Sequence, residues 1–148
     1  MGLIYLKTKL ERKALAENAG KYFVDEMSEI IKELNLQGEP ALLGIQHKKG
    51  IYTIIGRQYV YYLTSSGKKG KISHEEFSEE LRENANRIGN GWLKPKFMFK
   101  NIILTNSDKV WLRNAKTMFS LWSIIAWIKR NKWEPAIQDM WDAFRRDF

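Results

Sequence analysis

The sequence has 148 residues, 44% of them hydrophobic and 13% aromatic, enough to bury a core and too aromatic for a disordered chain. It carries 25 Lys and Arg against 17 Asp and Glu, a net charge of +8, and no cysteine, which excludes a disulfide scaffold and thiolate chemistry. It contains no apolar run of transmembrane length and no signal-peptide pattern. We therefore expect one basic domain over residues 1–148, located in the cytoplasm.

The first predicted elements are a short strand over residues 3–6 and a helix over residues 7–36. Apolar residues recur in the second half of this helix at spacings of three and four, which predicts one buried face. Gly20 lies in the middle and predicts a kink or a division into two helices. Gly38 and Pro40 end the segment, because glycine accepts a left-handed cap and proline cannot continue a helix.

Three strands are predicted next, over residues 41–47, 51–55 and 59–64, as an antiparallel meander. Lys48 and Lys49 lie in the turn between the first two. The third strand has apolar residues on both faces, which is typical of an interior strand. We expect its tyrosines to lie in the core rather than to stack on nucleic-acid bases.

Residues 65–71 are predicted to form a polar loop before the next helix. The loop carries Lys68, Lys69 and Lys71, which could contact phosphate groups without sequence preference. Ser73 and Glu76 then have the spacing of a capping box and predict the start of a helix that ends at Gly89.

The second half of the chain predicts a hairpin and two helices. The hairpin joins a strand over residues 96–105 to one over residues 109–112. Helices follow over residues 114–131 and from Pro135. Together the elements predict an α+β fold, with an antiparallel sheet of about five strands, a three-stranded meander plus the hairpin, covered by about four helices.

Neither a catalytic nor a metal site is predicted. The two histidines, His47 and His74, do not form a zinc-binding motif, and we expect His74 to be a surface residue. Glutamates at positions 75, 76, 79, 80 and 83 are better explained by the helix dipole and by helical ion pairs than by acid-base catalysis. No cofactor is expected.

The positive charge is concentrated in one part of the sequence. Residues 84–132 contain ten basic residues and one acid, Asp108, a net charge of +9, whereas all other residues hold 15 basic and 16 acidic side chains, net −1. Within this window, residues 92–100 interleave lysines with aromatic residues, a pattern that could hold phosphates and stack on a base. Lysines that protect an edge strand from aggregation would give the same pattern.

We therefore predict a non-enzymatic protein that binds nucleic acid, or an acidic protein surface, through residues 84–132, and that does not bind a membrane. The turns that carry Lys48 and Lys49 and Lys68 to Lys71 are expected to help in binding nucleic acid. The alternative is a small inhibitor, immunity or anti-defence factor that docks on one larger partner. A phosphodiester-acting enzyme is a third reading. The candidate contact residues are Lys94, Lys96, Lys100, Arg113, Lys116, Lys68, Lys69, Lys71 and Trp92.

Overall fold

The structure, a computed structural model, describes residues 2–89 and 100–131, with side chains over residues 10–84 and 100–128. The helices are α1 (Gly2–Ala19), α2 (Glu29–Leu36), α3 (His74–Gly89) and α4 (Ala115–Asn131), with a short 3-10 turn over Gly20–Tyr22. The strands are β1 (Phe23–Val24), β2 (Ala41–Gln46), β3 (Tyr52–Gly56), β4 (Tyr59–Leu63), β5 (Lys69–Ser73), β6 (Asn101–Ile103) and β7 (Lys109–Trp111). The helix predicted from Pro135 lies outside the described residues.

The α+β class and the five-stranded antiparallel sheet are confirmed. The strand order is β1-β2-β3-β4-β5, so that the predicted meander forms the centre and β1 and β5 complete the sheet. The prediction that the hairpin completes the main sheet is wrong: β6 and β7 form a separate two-stranded sheet, because β1 and β5 occupy the two edges of the main one. The hairpin packs over β3, where the Thr53 hydroxyl donates to the backbone oxygen of Trp111 at 2.5 Å.

Three local predictions are wrong. Residues 3–6 belong to α1 rather than to a strand. The predicted division at Gly20 of the helix over residues 7–36 is confirmed, with a φ of +58° at this residue, but residues 20–28 are not α-helical, because the chain pairs with β2 as β1 before α2 begins at Glu29. The predicted loop over residues 65–71 ends earlier, since β5 begins at Lys69 and pairs with β4.

Apolar side chains cover both faces of the sheet. On one face α2 places Ile31 and Leu34 against Ile54 and Tyr61. The other face carries the larger core, which includes Leu15, Val60, Tyr62, Phe77, Leu121 and Ile125 from β4, α1, α3 and α4. Tyr61 and Tyr62 are only 4% and 2% exposed, which confirms the prediction that they belong to the core.

Hydrogen bonds fix the hairpin turn over the larger core. The Tyr62 hydroxyl donates to Asp108 Oδ2 at 2.5 Å. The Glu80 carboxylate accepts from both the backbone amide and the hydroxyl of Thr105. Since these bonds come from β4 and α3, the hairpin is held in one position relative to the main sheet. Within the described residues, no helix is long and apolar enough to cross a membrane.

Candidate nucleic-acid interface

Three aromatic side chains from distant segments meet beside the hairpin, and we call them the ring cluster: Tyr22, His47 and Trp111. The rings of Tyr22 and His47 stack with centroids 5.4 Å apart and planes 14° from parallel. Trp111 meets Tyr22 edge-on at 5.4 Å and His47 edge-on at 5.5 Å. All three side chains are half-buried, so each has part of its surface in solvent.

Local backbone structure explains how the ring cluster forms. The pairing of Phe23 with Ile45 brings Tyr22 alongside the end of β2. His47 begins the turn from β2 to β3, in which its own amide donates to Ile51 O at 2.7 Å and the Gly50 amide donates to His47 O at 2.9 Å. Gly50 has a φ of +88°, a conformation that glycine adopts without steric cost.

Two clefts border the ring cluster, and His47 lines both. The first cleft has a volume of 360 Å³ and is lined by Lys21, Tyr22, Val24, Gln46, His47, Lys48 and Gly50. The second cleft has a volume of 280 Å³ and is lined by His47, Lys49, Ile51, Ser65, Lys100, Asn101, Lys109 and Trp111. Five lysines therefore face the two clefts, and among the described residues neither lining includes an Asp or a Glu.

Within the described residues, none of the five cleft lysines forms an ion pair. All five cleft lysines have exposed side chains, so their ammonium groups are free to meet a ligand from solvent. Lys21 Nζ and Arg113 Cζ also lie 5.3 Å and 5.1 Å from the centroid of the Tyr22 ring, distances at which a cation is attracted by an aromatic face. A surface with several cations and no carboxylate between them attracts anions.

The candidate residues in the hairpin and α4 have different positions. Lys100 lines the second cleft. Arg113 is half-buried and donates from Nη1 to the backbone oxygen of Asn18 at 2.9 Å, so its guanidinium joins the end of α1 to the ring cluster. Lys116 is exposed in the first turn of α4.

The lysines predicted on the loop before α3 lie on or next to β5. Lys68 Nζ is 3.4 Å from Asp108 Oδ1, and Lys71 Nζ is 3.6 Å from Glu39 Oε1 and 4.8 Å from the Tyr59 ring centroid. Lys69 is exposed. Two of the three ammonium groups thus have carboxylate neighbours, unlike the cleft lysines. The remaining candidates, Trp92, Lys94 and Lys96, lie outside the described residues.

Sequence reasoning missed the ring cluster. The predicted helix over residues 7–36 includes Tyr22, the predicted hairpin strand over residues 109–112 includes Trp111, and His47 is the last residue of the strand predicted over residues 41–47. The Lys48 and Lys49 turn was the one local signal, because two lysines beside a histidine mark a basic tip. Nothing in the sequence indicates that this turn meets the hairpin, since they are more than fifty residues apart.

His74 is buried, so the prediction of a surface residue is wrong. It is the first residue of α3 and is 7% exposed, with Nε2 2.9 Å from the backbone oxygen of Gly56. The carbonyl can only accept, which places a proton on Nε2. Desolvation by burial lowers the pKa of this imidazole. His74 therefore joins α3 to the sheet as a neutral hydrogen-bond donor.

Three of the five glutamates of α3, Glu76, Glu79 and Glu80, have structural partners. Glu76 and Ser73 form the predicted cap, in which the Glu76 amide donates to the Ser73 hydroxyl at 3.1 Å. Glu79 pairs with Arg82 at 2.6 Å, and Glu80 holds Thr105 of the hairpin turn. Over the part of the chain that the structure describes, no group of three or more His, Cys, Asp or Glu side chains could hold a metal ion.

Comparison of the chain with protein-family models, curated proteins and solved structures finds no significant match.

Proposed function

We propose that the protein is a non-enzymatic nucleic-acid-binding protein whose interface is the ring cluster with its two clefts. The observation that carries the proposal is the set of five exposed lysines in the two cleft linings, with no carboxylate among the described residues of either lining. Lysines that neutralise phosphates release counterions, and this release provides most of the affinity of sequence-independent binding. The clefts border one another at His47, so a single polyanion can occupy both.

The electrostatic setting favours a polyanion over a single small anion. The cleft lysines come from three segments, with Lys21 beside β1, Lys48 and Lys49 in the β2–β3 turn, and Lys100 and Lys109 at the hairpin. Repeated phosphates along a strand match such a spread of separate cations better than one phosphate does. The predicted contacts Trp92, Lys94 and Lys96 stay in the proposal, because the chain runs from them into Lys100.

The positions of the carboxylates support binding rather than catalysis. Metal-dependent cleavage of a phosphodiester needs carboxylates beside the bound phosphate. The Glu76 carboxylate instead accepts from the Ser73 hydroxyl, the Glu79 carboxylate pairs with Arg82, and the Glu80 carboxylate accepts from Thr105 in the hairpin turn. Asp108, the acid of the basic window, accepts from Tyr62 and lies beside Lys68.

Fluorescence anisotropy with a short labelled oligonucleotide at low salt tests this proposal. Lys49→Glu reverses one charge in the second cleft, and we expect it to weaken binding roughly tenfold, about 1.4 kcal/mol. Lys32→Glu is the matched control, because Lys32 is exposed on α2, which covers the opposite face of the sheet from the hairpin. Absence of binding to both DNA and RNA, or equal losses in the two variants, would contradict the proposed interface.

A further inference from the structure

The ring cluster lies where the two lysine-lined clefts meet. His47 lines both clefts, Tyr22 lines the first and Trp111 lines the second. A phosphate chain that runs from one set of lysines to the other must therefore pass the three rings. The rings therefore add an aromatic surface to an interface whose lysines supply only positive charge.

We propose that the interface selects single-stranded nucleic acid, with an unpaired base stacked on the ring cluster while the flanking phosphates occupy the two clefts. The inference rests on the proposed function and names the form of nucleic acid that this function takes. Aromatic side chains beside a basic groove bind unpaired bases by stacking, because every base has a π-face. In a duplex the bases stack on one another and cannot reach the rings without being flipped out.

The arrangement of the rings leaves surface for a base. Tyr22 stacks on His47, whereas Trp111 meets both of them edge-on. The Tyr22 ring is also approached by two cations, Lys21 and Arg113. Since all three rings are half-exposed, a base that stacks on His47 from the clefts extends the stacked pair of Tyr22 and His47.

The rings also have a structural role, which the test must separate from binding. Tyr22 and Trp111 pack against the larger core, so changing either one affects stability. His47 lies in a turn, and its side chain is held less firmly, by a long hydrogen bond of 3.4 Å that the Lys49 amide donates to Nδ1. His47→Leu therefore removes ring stacking at the lowest cost to folding, and a thermal melt reports whether the variant is folded.

Competition binding with three unlabelled probes of equal length tests the inference: a single strand, the same sequence as a duplex, and a single strand with abasic sites. We expect the single strand to bind about tenfold or more tighter than the abasic strand, as the loss of one stacked base predicts. We also expect it to bind tighter than the duplex. His47→Leu should reduce both differences, whereas the Lys32→Gln control, on the opposite face of the sheet, should keep them.

The outcomes distinguish this inference from the function on which it rests. Equal affinity for all three probes overturns single-strand selection and leaves nucleic-acid binding intact. Tighter binding to the duplex also overturns the inference. A folded His47→Leu variant that keeps the full preference for bases excludes His47 and contradicts the stacking site. Failure of the wild-type protein to bind any probe overturns the proposed function and the inference together.

Discussion

The Tyr62 hydroxyl joins the main sheet to the hairpin turn through one carboxylate. It donates to Asp108 Oδ2 at 2.5 Å, and Lys68 Nζ lies 3.4 Å from Oδ1 of the same side chain. The hydrogen bond from Tyr62, followed by the interactions with Lys68, lowers the pKa of Asp108. Burial is the main cause that raises the pKa of Tyr62. The raised pKa of Tyr62 and the lowered pKa of Asp108 both favour a neutral phenol that donates to an ionised carboxylate.

We expect Tyr62→Phe to lower the free energy of unfolding at neutral pH by about 1–2 kcal/mol, because one buried hydrogen bond is lost. A group with a depressed native pKa contributes stability above its unfolded pKa and loses it as the pH falls through the native value. The difference in the free energy of unfolding between the wild type and Tyr62→Phe should therefore have its maximum value at pH 6 and decrease below about pH 4. Denaturant unfolding across this range measures it, and a pH-independent difference would contradict the link to Asp108.

Arg12 is a charged residue in the core, with a side chain that is 2% exposed. Its guanidinium donates to both carboxylate oxygens of Glu26 at 2.9 Å and to Asp25 Oδ2 at 3.0 Å. The three side chains connect α1 to the residues that directly follow β1. A buried cation is tolerated when its carboxylate partners satisfy it in this way.

Arg12→Met should lower the free energy of unfolding by about 3–5 kcal/mol, since it leaves two partly buried carboxylates without their cation. Combining it with Glu26→Gln should recover part of this loss, because one of the unpaired charges is removed. Chemical denaturation of the single and double variants provides the comparison. A double variant less stable than Arg12→Met would contradict this explanation.

At the scale of elements, the sequence correctly predicts the strands and helices whose own residues show a full periodicity or a capping motif. The alternation of Tyr59, Tyr61 and Leu63 with Val60 and Tyr62 correctly predicts β4 with two buried faces. The spacing of Ser73 and Glu76 correctly predicts the start of α3. These elements follow from local periodicity and capping, which depend on neighbours in sequence.

The elements that the sequence does not predict depend on tertiary pairing. β1 has only two residues, Phe23 and Val24, and helical spacing around it predicts a helix. It is a strand because it pairs with Ile45 and Gly44 of β2. β5 is similar, since a Lys- and Gly-rich segment has little strand character without the ladder to β4.

Gly44 is a position at which strand packing requires glycine. A Cβ atom there would lie 2.2 Å from Thr53 O and 2.8 Å from Ile54 Cα, and neither backbone atom can move without disturbing β3. We expect Gly44→Ala to lower the free energy of unfolding by about 3 kcal/mol or more. Thermal melting measures this loss of stability, and an unchanged melting temperature would contradict the close approach of β2 to β3 at Gly44.

At the scale of the whole molecule, the fold redistributes the charge that the sequence places in one window. Lys100 and Lys109 of the candidate interface fall within residues 84–132, but Lys21, Lys48 and Lys49 do not. The β2–β3 turn reaches the hairpin because β7 packs on β3, with Thr53 bonded to Trp111. The basic character of the site could be predicted from composition, whereas its position and its aromatic part required the fold.

The salt dependence of binding to a single-stranded oligonucleotide tests the central claim most directly. If each of the five cleft lysines neutralises one phosphate, the plot of log K against log salt has a slope of about −3.5, at roughly 0.7 per contact. Replacing Lys48 and Lys49 by Gln should make the slope shallower by about 1.4, while Lys32→Gln leaves it unchanged. A slope near zero, or an equal change in the Lys32→Gln control, would contradict a nucleic-acid interface at the two clefts.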